Sequence, residues 1–228
     1  MSLPAACLFD LDGLLLDTEP LHARAWREAA ERFSVVLSEA DLLRLRGRRR
    51  LDCVAMVRGW IAERTGGPAP SEDALLTVQQ PVARRLIPGA RPVEGAPALV
   101  ARCQALGVPM AMVTSSTREA VAFKEAPHGW LAAIRVRVHG DDPSLAAGKP
   151  APDPYLLAAA RLGVEASRCW AFEDSLAGSQ SALAAGCLVH VLLSPDVDSA
   201  ADSSQAFPEA CRIVRRLAEV ELELELEP

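Results

Sequence analysis

Asp10 and Asp12 stand two residues apart where the apolar run Ala5 to Phe9 ends, with Gly13 next. At that spacing on an extended segment both side chains project the same way. Two carboxylates so placed repel each other by ~4 kcal/mol at 4 Å and an effective dielectric constant of about 20. A hard divalent cation held by oxygen ligands relieves that repulsion. Thr114 and Ser115 follow the run Met110 to Val113, and Glu173 and Asp174 follow Cys169 to Phe172, with Ser175 next. Lys149 lies between Gly148 and Pro150 in a chain with 22 arginines and only two lysines, the other being Lys124. Each feature alone has an ordinary reading. Asp-x-Asp-Gly is a common turn, Glu-Asp-Ser suits a helix start, and a lone lysine suits a surface. Together, three or four carboxylates, two hydroxyls and one ammonium point to magnesium and phosphate. In that chemistry Asp10 is the nucleophile of a covalent aspartyl-phosphate. Asp12 protonates the leaving oxygen and then deprotonates the attacking water. The Thr114 hydroxyl and backbone amides around Ser115 bind the phosphoryl group, and Lys149 serves either the phosphoryl oxygens or Asp10.

Such a set works only if the chain brings it to one place. Five short apolar runs predict buried strands at Ala5–Phe9, Met110–Val113, Ile134–Val138, Cys169–Phe172 and Leu188–Leu193. Pro97–Leu106, Pro154–Leu162 and Leu176–Ala185 have helical apolar spacing, and each is followed by a glycine (Gly107, Gly163, Gly186) suited to a left-handed cap. Helix, glycine, strand, three times over, predicts a parallel α/β sheet buried on both faces. In a Rossmann-like, doubly wound sheet the ligand lies beyond the carboxyl ends of the strands, where the candidates fall. Between about Asp17 and Gly89 the chain reads as helices only, near Pro20–Phe33, Glu39–Leu45, Leu51–Glu63 and Ser71–Leu86. The expected division is a catalytic core of residues 1–16 and 89–228 with a helical cap of residues 17–88. The tail Glu219–Glu227 alternates Glu with Val or Leu, which predicts an edge strand or a solvated tail.

Half the residues are hydrophobic and 24% are charged, against a disordered chain. The net charge of −6 argues against nucleic acid or an anionic membrane as main partner. No run approaches the ~18 apolar residues of a membrane-spanning helix, and the first residues lack the charged start of a signal peptide. The six cysteines form no C-x-x-C pair and have mostly apolar neighbours, so they read as buried thiols in a reducing compartment. The expectation is a cytoplasmic monomer acting on a small phosphorylated substrate, with no nucleic-acid or membrane partner.

Four segments together resemble the haloacid dehalogenase-like hydrolase superfamily. They are Phe9–Leu14 with Leu16–Pro20, Val113–Ser116, Gly148–Pro154 and Phe172–Gly178, in the superfamily's order. The resemblance implies Asp10 as nucleophile, Asp12 as acid/base, and Thr114 and Lys149 as phosphate ligands. It also implies magnesium at Asp10, the Asp12 carbonyl and Asp174, with Glu173 a direct or water-mediated ligand. A helical insert between the first two motifs is similar to the C1-capped branch, which includes beta-phosphoglucomutase and sugar-phosphate phosphatases. Its mutase members carry a histidine where His22 stands and a cap arginine best matched by Arg50. They also carry a cap lysine, whereas no lysine occurs here between Glu19 and Gly89. The implied activity is therefore a magnesium-dependent phosphatase for small monoesters such as sugar phosphates, with a phosphosugar mutase as the alternative. A receiver-like module that accepts phosphate without turnover uses similar groups, but lacks the long insert and a built-in acid/base at Asp12.

Overall fold

The computed structural model describes residues 3–193 and 207–222. Six strands form one parallel sheet: β1 Ala6–Phe9, β2 Met110–Val113, β3 Val136–Val138, β4 Cys169–Glu173, β5 Leu188–Leu192 and β6 Arg212–Val214. Their order is β3-β2-β1-β4-β5-β6. The chain runs outward from β1 through β2 to β3, then returns to β4 on the other side of β1. This reversal opens a crevice at the carboxyl end of β1, the usual ligand site of doubly wound sheets.

The strands read as unbroken apolar runs because both faces are covered. Cys7 and Phe9 pack with Met112 and Phe172 against α5 (Ala96–Ala105) and α6 (Arg118–Glu125). Ala6 and Leu8 point the other way, packing with Val113 of β2, Tyr155 of α7 (Asp153–Leu162) and Ala182 of α8 (Leu176–Ala184). Successive side chains of a strand alternate between faces, so a strand buried on both has no polar positions. The glycines after α5, α7 and α8 take positive φ angles of 68°, 70° and 89°, ending each helix as its sequence predicts.

Between β1 and α5 run α1 (Glu19–Glu31), α2 (Glu39–Leu45), α3 (Arg50–Thr65) and α4 (Glu72–Leu86). They enclose an apolar cluster of their own, including Trp26, Leu42, Val57, Trp60 and Leu75. Ser38 caps α2: its hydroxyl accepts from the Asp41 N–H at 3.2 Å, while Asp41 accepts from the Ser38 N–H at 2.8 Å. Arg64 of α3 then grips both Asp41 oxygens at 2.8 and 2.9 Å, tying the second helix to the third.

Three expectations need correction. The third strand begins at Val136, not Ile134. β6 escaped prediction because it is three residues long and mostly exposed at the sheet's edge. The tail is neither strand nor solvated tail over its described part. Leu217–Glu219 form a single 3-10 turn, and Val220 and Leu222 are buried in the core. Arg102 donates to the Val220 carbonyl at 2.5 Å, which fixes that turn against α5. Residues 223–227 of the expectation lie outside the described residues.

Candidate active site

Asp10 is the first residue beyond β1, and its N–H continues the ladder to the Phe172 carbonyl at 3.0 Å. That bond fixes its backbone between β2 and β4, and its side chain is buried. Lys149 reaches the same spot from the loop before α7. Its ammonium donates to Asp10 Oδ1 at 2.5 Å, to Glu173 Oε1 at 2.5 Å and to the Val113 carbonyl at 3.0 Å. An ammonium has three donors, so Lys149 joins β1, β2 and β4 at their carboxyl ends. Glu173 is held further by Tyr155 of α7, whose hydroxyl donates to Oε1 at 2.5 Å, and by Ser175, which donates to Oε2 at 3.1 Å. Burial alone would lower the Lys149 pKa, but Asp10 and Glu173 together hold it above the ordinary lysine value. Burial pushes the Asp10 carboxyl up to about 8, with Lys149 opposing the shift and Glu173 and Asp12 adding to it.

Asp174 completes a group with Asp10 and Glu173 whose oxygens lie within 4.8 Å of one another. Both of its carboxylate oxygens are buried and make no hydrogen bond among the described residues. Burial, and after it the carboxylates of Glu19, Asp10 and Glu173, push its pKa well above the ordinary value. Buried carboxylate oxygens without partners are costly. Fully ionised, three carboxylates beside the single ammonium of Lys149 would carry an excess of two negative charges, which the raised pKa values of Asp10 and Asp174 show to be unfavourable without a further cation. An all-oxygen, doubly negative group of this size fits a hard divalent cation such as magnesium. Gly13 makes room for it: its φ is +86°, and a Cβ there would sit 2.0 Å from Asp174 Oδ2.

Asp12 turns its side chain away from this group. Its Oδ1 accepts from Thr18 at 2.6 Å and from Lys124 at 2.5 Å, and its Oδ2 accepts from Ser116 at 2.8 Å. His22 Nε2, from the second turn of α1, lies 3.5 Å from Oδ1. Burial favours the neutral acid, but Lys124 and then His22 outweigh it and hold the Asp12 carboxyl well below the usual carboxylate range. The two neighbouring aspartates thus occupy opposite electrostatic settings.

Of the residues singled out from the sequence, Asp10, Asp12, Thr114, Ser115, Lys149, Glu173 and Asp174 gather at this strand edge. Thr114 is buried, and its hydroxyl accepts from the Ser116 N–H at 3.1 Å. The Ser115 hydroxyl donates to the Gly47 carbonyl of the insert at 2.7 Å, so the side chain is already engaged. His22 reaches Asp12 from α1. Arg50 lines the cleft but is largely exposed at the start of α3, whereas Arg49 lies against Gly148, the neighbour of Lys149. The sequence reading missed Lys124, Thr18 and Tyr155. For Lys124 a signal existed, since it is the only other lysine of the chain. Between the sheet edge and the insert lies a cleft of about 1010 Å³, walled by Asp10, Asp12 and Thr114 below and by Arg48, Arg50 and Gln79 above.

A buried carboxylate group at the switch point of a doubly wound sheet, under a helical insert, is the arrangement of an α/β enzyme with its site at the strand ends. Residues 4–186 match the model of the haloacid dehalogenase-like hydrolases, and the chain belongs to that family. Among curated relatives, hexitol phosphatase A of Escherichia coli K12 is 32% identical over 194 residues, spanning 82% of each protein. Fructose-1-phosphate phosphatase YqaB of the same organism is 32% identical over 187 residues, 80% of this chain and 93% of the relative. Among solved structures, a haloacid dehalogenase-family hydrolase from Deinococcus radiodurans R1, with bound phosphate and sodium, superposes with a TM-score of 0.72. It is 28% identical and covers 96% of this chain and 94% of its own.

Proposed function

We propose that the chain is a magnesium-dependent phosphatase for small phosphate monoesters, sugar phosphates in particular, working through an aspartyl-phosphate on Asp10. The observation that carries this reading is the buried group of Asp10, Lys149, Glu173 and Asp174, with the Asp174 oxygens unpartnered. Magnesium would be held by Asp10, Asp174 and the Asp12 carbonyl, with Glu173, already bonded to Lys149, Tyr155 and Ser175, reaching it through water. Its contribution when bound is positive charge against both the carboxylates and the phosphoryl oxygens. The chain's own groups carry the bond changes. The Asp10 carboxylate attacks phosphorus, the ester P–O bond breaks, and Asp12, which must first take up a proton against the pull of Lys124 and His22 as the anionic substrate enters, delivers it to the departing oxygen. Asp12 then takes a proton from water, which attacks the phosphorus and breaks the P–O bond to Asp10. Lys149, Thr114 and the amides around Ser115 offset charge on the phosphoryl oxygens throughout.

The insert, residues 17–88, serves as a cap over the strand ends, excluding bulk water and reading the substrate, with Arg50 and the neighbouring Arg49 meeting its anionic parts. Two curated relatives named for the phosphates of a hexitol and of fructose support a sugar-phosphate substrate. We further propose a cytoplasmic monomer. One observation favours the mutase reading, the approach of His22 to Asp12 at 3.5 Å. Against it, residues 20–88 hold no lysine to meet a second phosphate.

The test is a panel of sugar phosphates, sugar bisphosphates and p-nitrophenyl phosphate, assayed with magnesium for phosphate release and for isomer interconversion. Steady phosphate release that EDTA abolishes, and that Asp10→Asn reduces by ~10⁴-fold or more while the thermal unfolding curve is kept, is the expected result. Isomerisation without net release would favour the mutase. A single equivalent of bound phosphate without turnover would favour a phospho-accepting module.

A further inference from the structure

The other lysine of the chain lies on α6, on the helical face of Val121, which packs into the core three residues earlier. Lys124 is 2% exposed. A buried ammonium is expensive unless it is paired, and this one is paired with a carboxylate and a hydroxyl. It donates to Asp12 Oδ1 at 2.5 Å and to Ser116 Oγ at 2.8 Å, and His22 Nε2 lies 3.3 Å away on the third side. The Ser116 hydroxyl passes the contact on, accepting from Lys124 and donating to Asp12 Oδ2 at 2.8 Å, while Thr18 closes on Oδ1 at 2.6 Å. Both oxygens of one carboxylate are therefore gripped from separate elements, which fixes the plane of the group as well as its position.

We propose that Lys124 is a positioning residue: with Ser116 as relay, it locks the Asp12 carboxylate in the orientation from which it exchanges a proton with the reacting oxygen. This rests on Asp12 being the acid/base of the reaction proposed above. The chain's two lysines then divide the two aspartates, Lys149 serving Asp10 and Lys124 serving Asp12.

The test uses the full-length protein with Lys124→Met, which keeps length and bulk but removes the ammonium. Ser116→Ala, which removes only the relay, is the second variant should the first fail to fold. Departure of p-nitrophenolate needs no proton, whereas attack by water on the aspartyl-phosphate does. Rapid mixing of either variant with p-nitrophenyl phosphate and magnesium should therefore show a burst of about one p-nitrophenolate per enzyme. The steady rate that follows should be about 10- to 100-fold slower than wild type, a fraction of the roughly 10²- to 10⁴-fold ascribed to acid–base catalysis as a whole, with KM within about threefold. Placed on Asp12→Ala, Lys124→Met should change kcat by less than about twofold. An unchanged steady rate, a burst slowed as much as the steady rate, or a further tenfold loss on Asp12→Ala would each overturn the proposal. A readout without turnover separates it from the phosphatase reading. Crystal structures of wild type and Lys124→Met should show the Asp12 carboxylate rotated while Asp10 stays in place. An unmoved Asp12 would overturn the positioning role whatever the enzyme hydrolyses.

Discussion

At the scale of single residues, the space around Asp174 is set by an absent side chain. Gly13 needs its left-handed φ of +86°, and a Cβ there would also come within 2.9 Å of Glu19 Cγ. Gly13→Ala is therefore expected to displace Asp174 and to raise the magnesium concentration for half-maximal phosphate release by about tenfold or more. A magnesium titration of activity checks this, and an unchanged midpoint would remove Asp174 from the cation site. Much of this site was legible in the sequence. Asp10, Thr114 and Glu173 directly follow apolar runs, and a parallel sheet puts the ends of its strands along one edge. Lys149 was legible through the scarcity of lysine. Tyr155 was not, because its sequence neighbours are those of an ordinary amphipathic helix. Its phenol reaches Glu173 only once α7 lies on β1 and β2. The same scarcity of lysine marked Lys124 but not its target, since the turn of α6 that aims it at Asp12 is set by packing of Val121 rather than by any local motif.

Whole elements depend on a few polar contacts as well as on burial. In the insert, Asp41 both caps α2 and binds Arg64, and those bonds hold its carboxyl well below the usual range. Asp41→Ala should cost about 1–3 kcal/mol by removing the cap and leaving Arg64 unpaired. Denaturant melts of the variant read this directly, and a loss under 0.5 kcal/mol on the scale of neutral surface changes would show the contact to be idle. The sign with pH follows from the direction of the shift. A carboxyl depressed in the folded state stabilises at neutral pH, and that contribution fades as acid protonates it. The helices of the insert were legible because their apolar positions recur at helical spacing and Gly66 marks a clear stop. The edge strand β6 was not, because Arg212-Ile213-Val214 offers three residues among charged neighbours and little apolar surface to bury. The alternation of Glu219 to Glu227 misled over its described part for a related reason: Val220 and Leu222 face the core from irregular backbone, so there a period of two did not mean a strand.

For the molecule as a whole, the sheet contains one conditional weakness. His190 of β5 is buried, stacked on Phe172 at 4.9 Å and beside Trp170 at 4.8 Å. Burial, aided by Arg212, pushes its pKa down to about 4. The unfolded chain takes up a proton near pH 6.5 that the folded chain refuses, so stability is full above that pH and falls toward pH 4. The loss is about 1.4 kcal/mol per pH unit for one such group. His190→Leu should flatten that part of the profile, measured as the difference between variant and wild type in denaturant midpoints from pH 7 to pH 4.5. Parallel profiles would show that His190 does not titrate between the two states. Across the same molecule both lysine side chains are committed to interior carboxylates, so the surface carries its positive charge on guanidinium groups. Amine-directed crosslinkers and dyes should accordingly find little beyond the chain's terminal nitrogen. Lysine enriched with nitrogen-15 at Nζ should give a spectrum of two resonances, one reporting on each aspartate as ligands come and go.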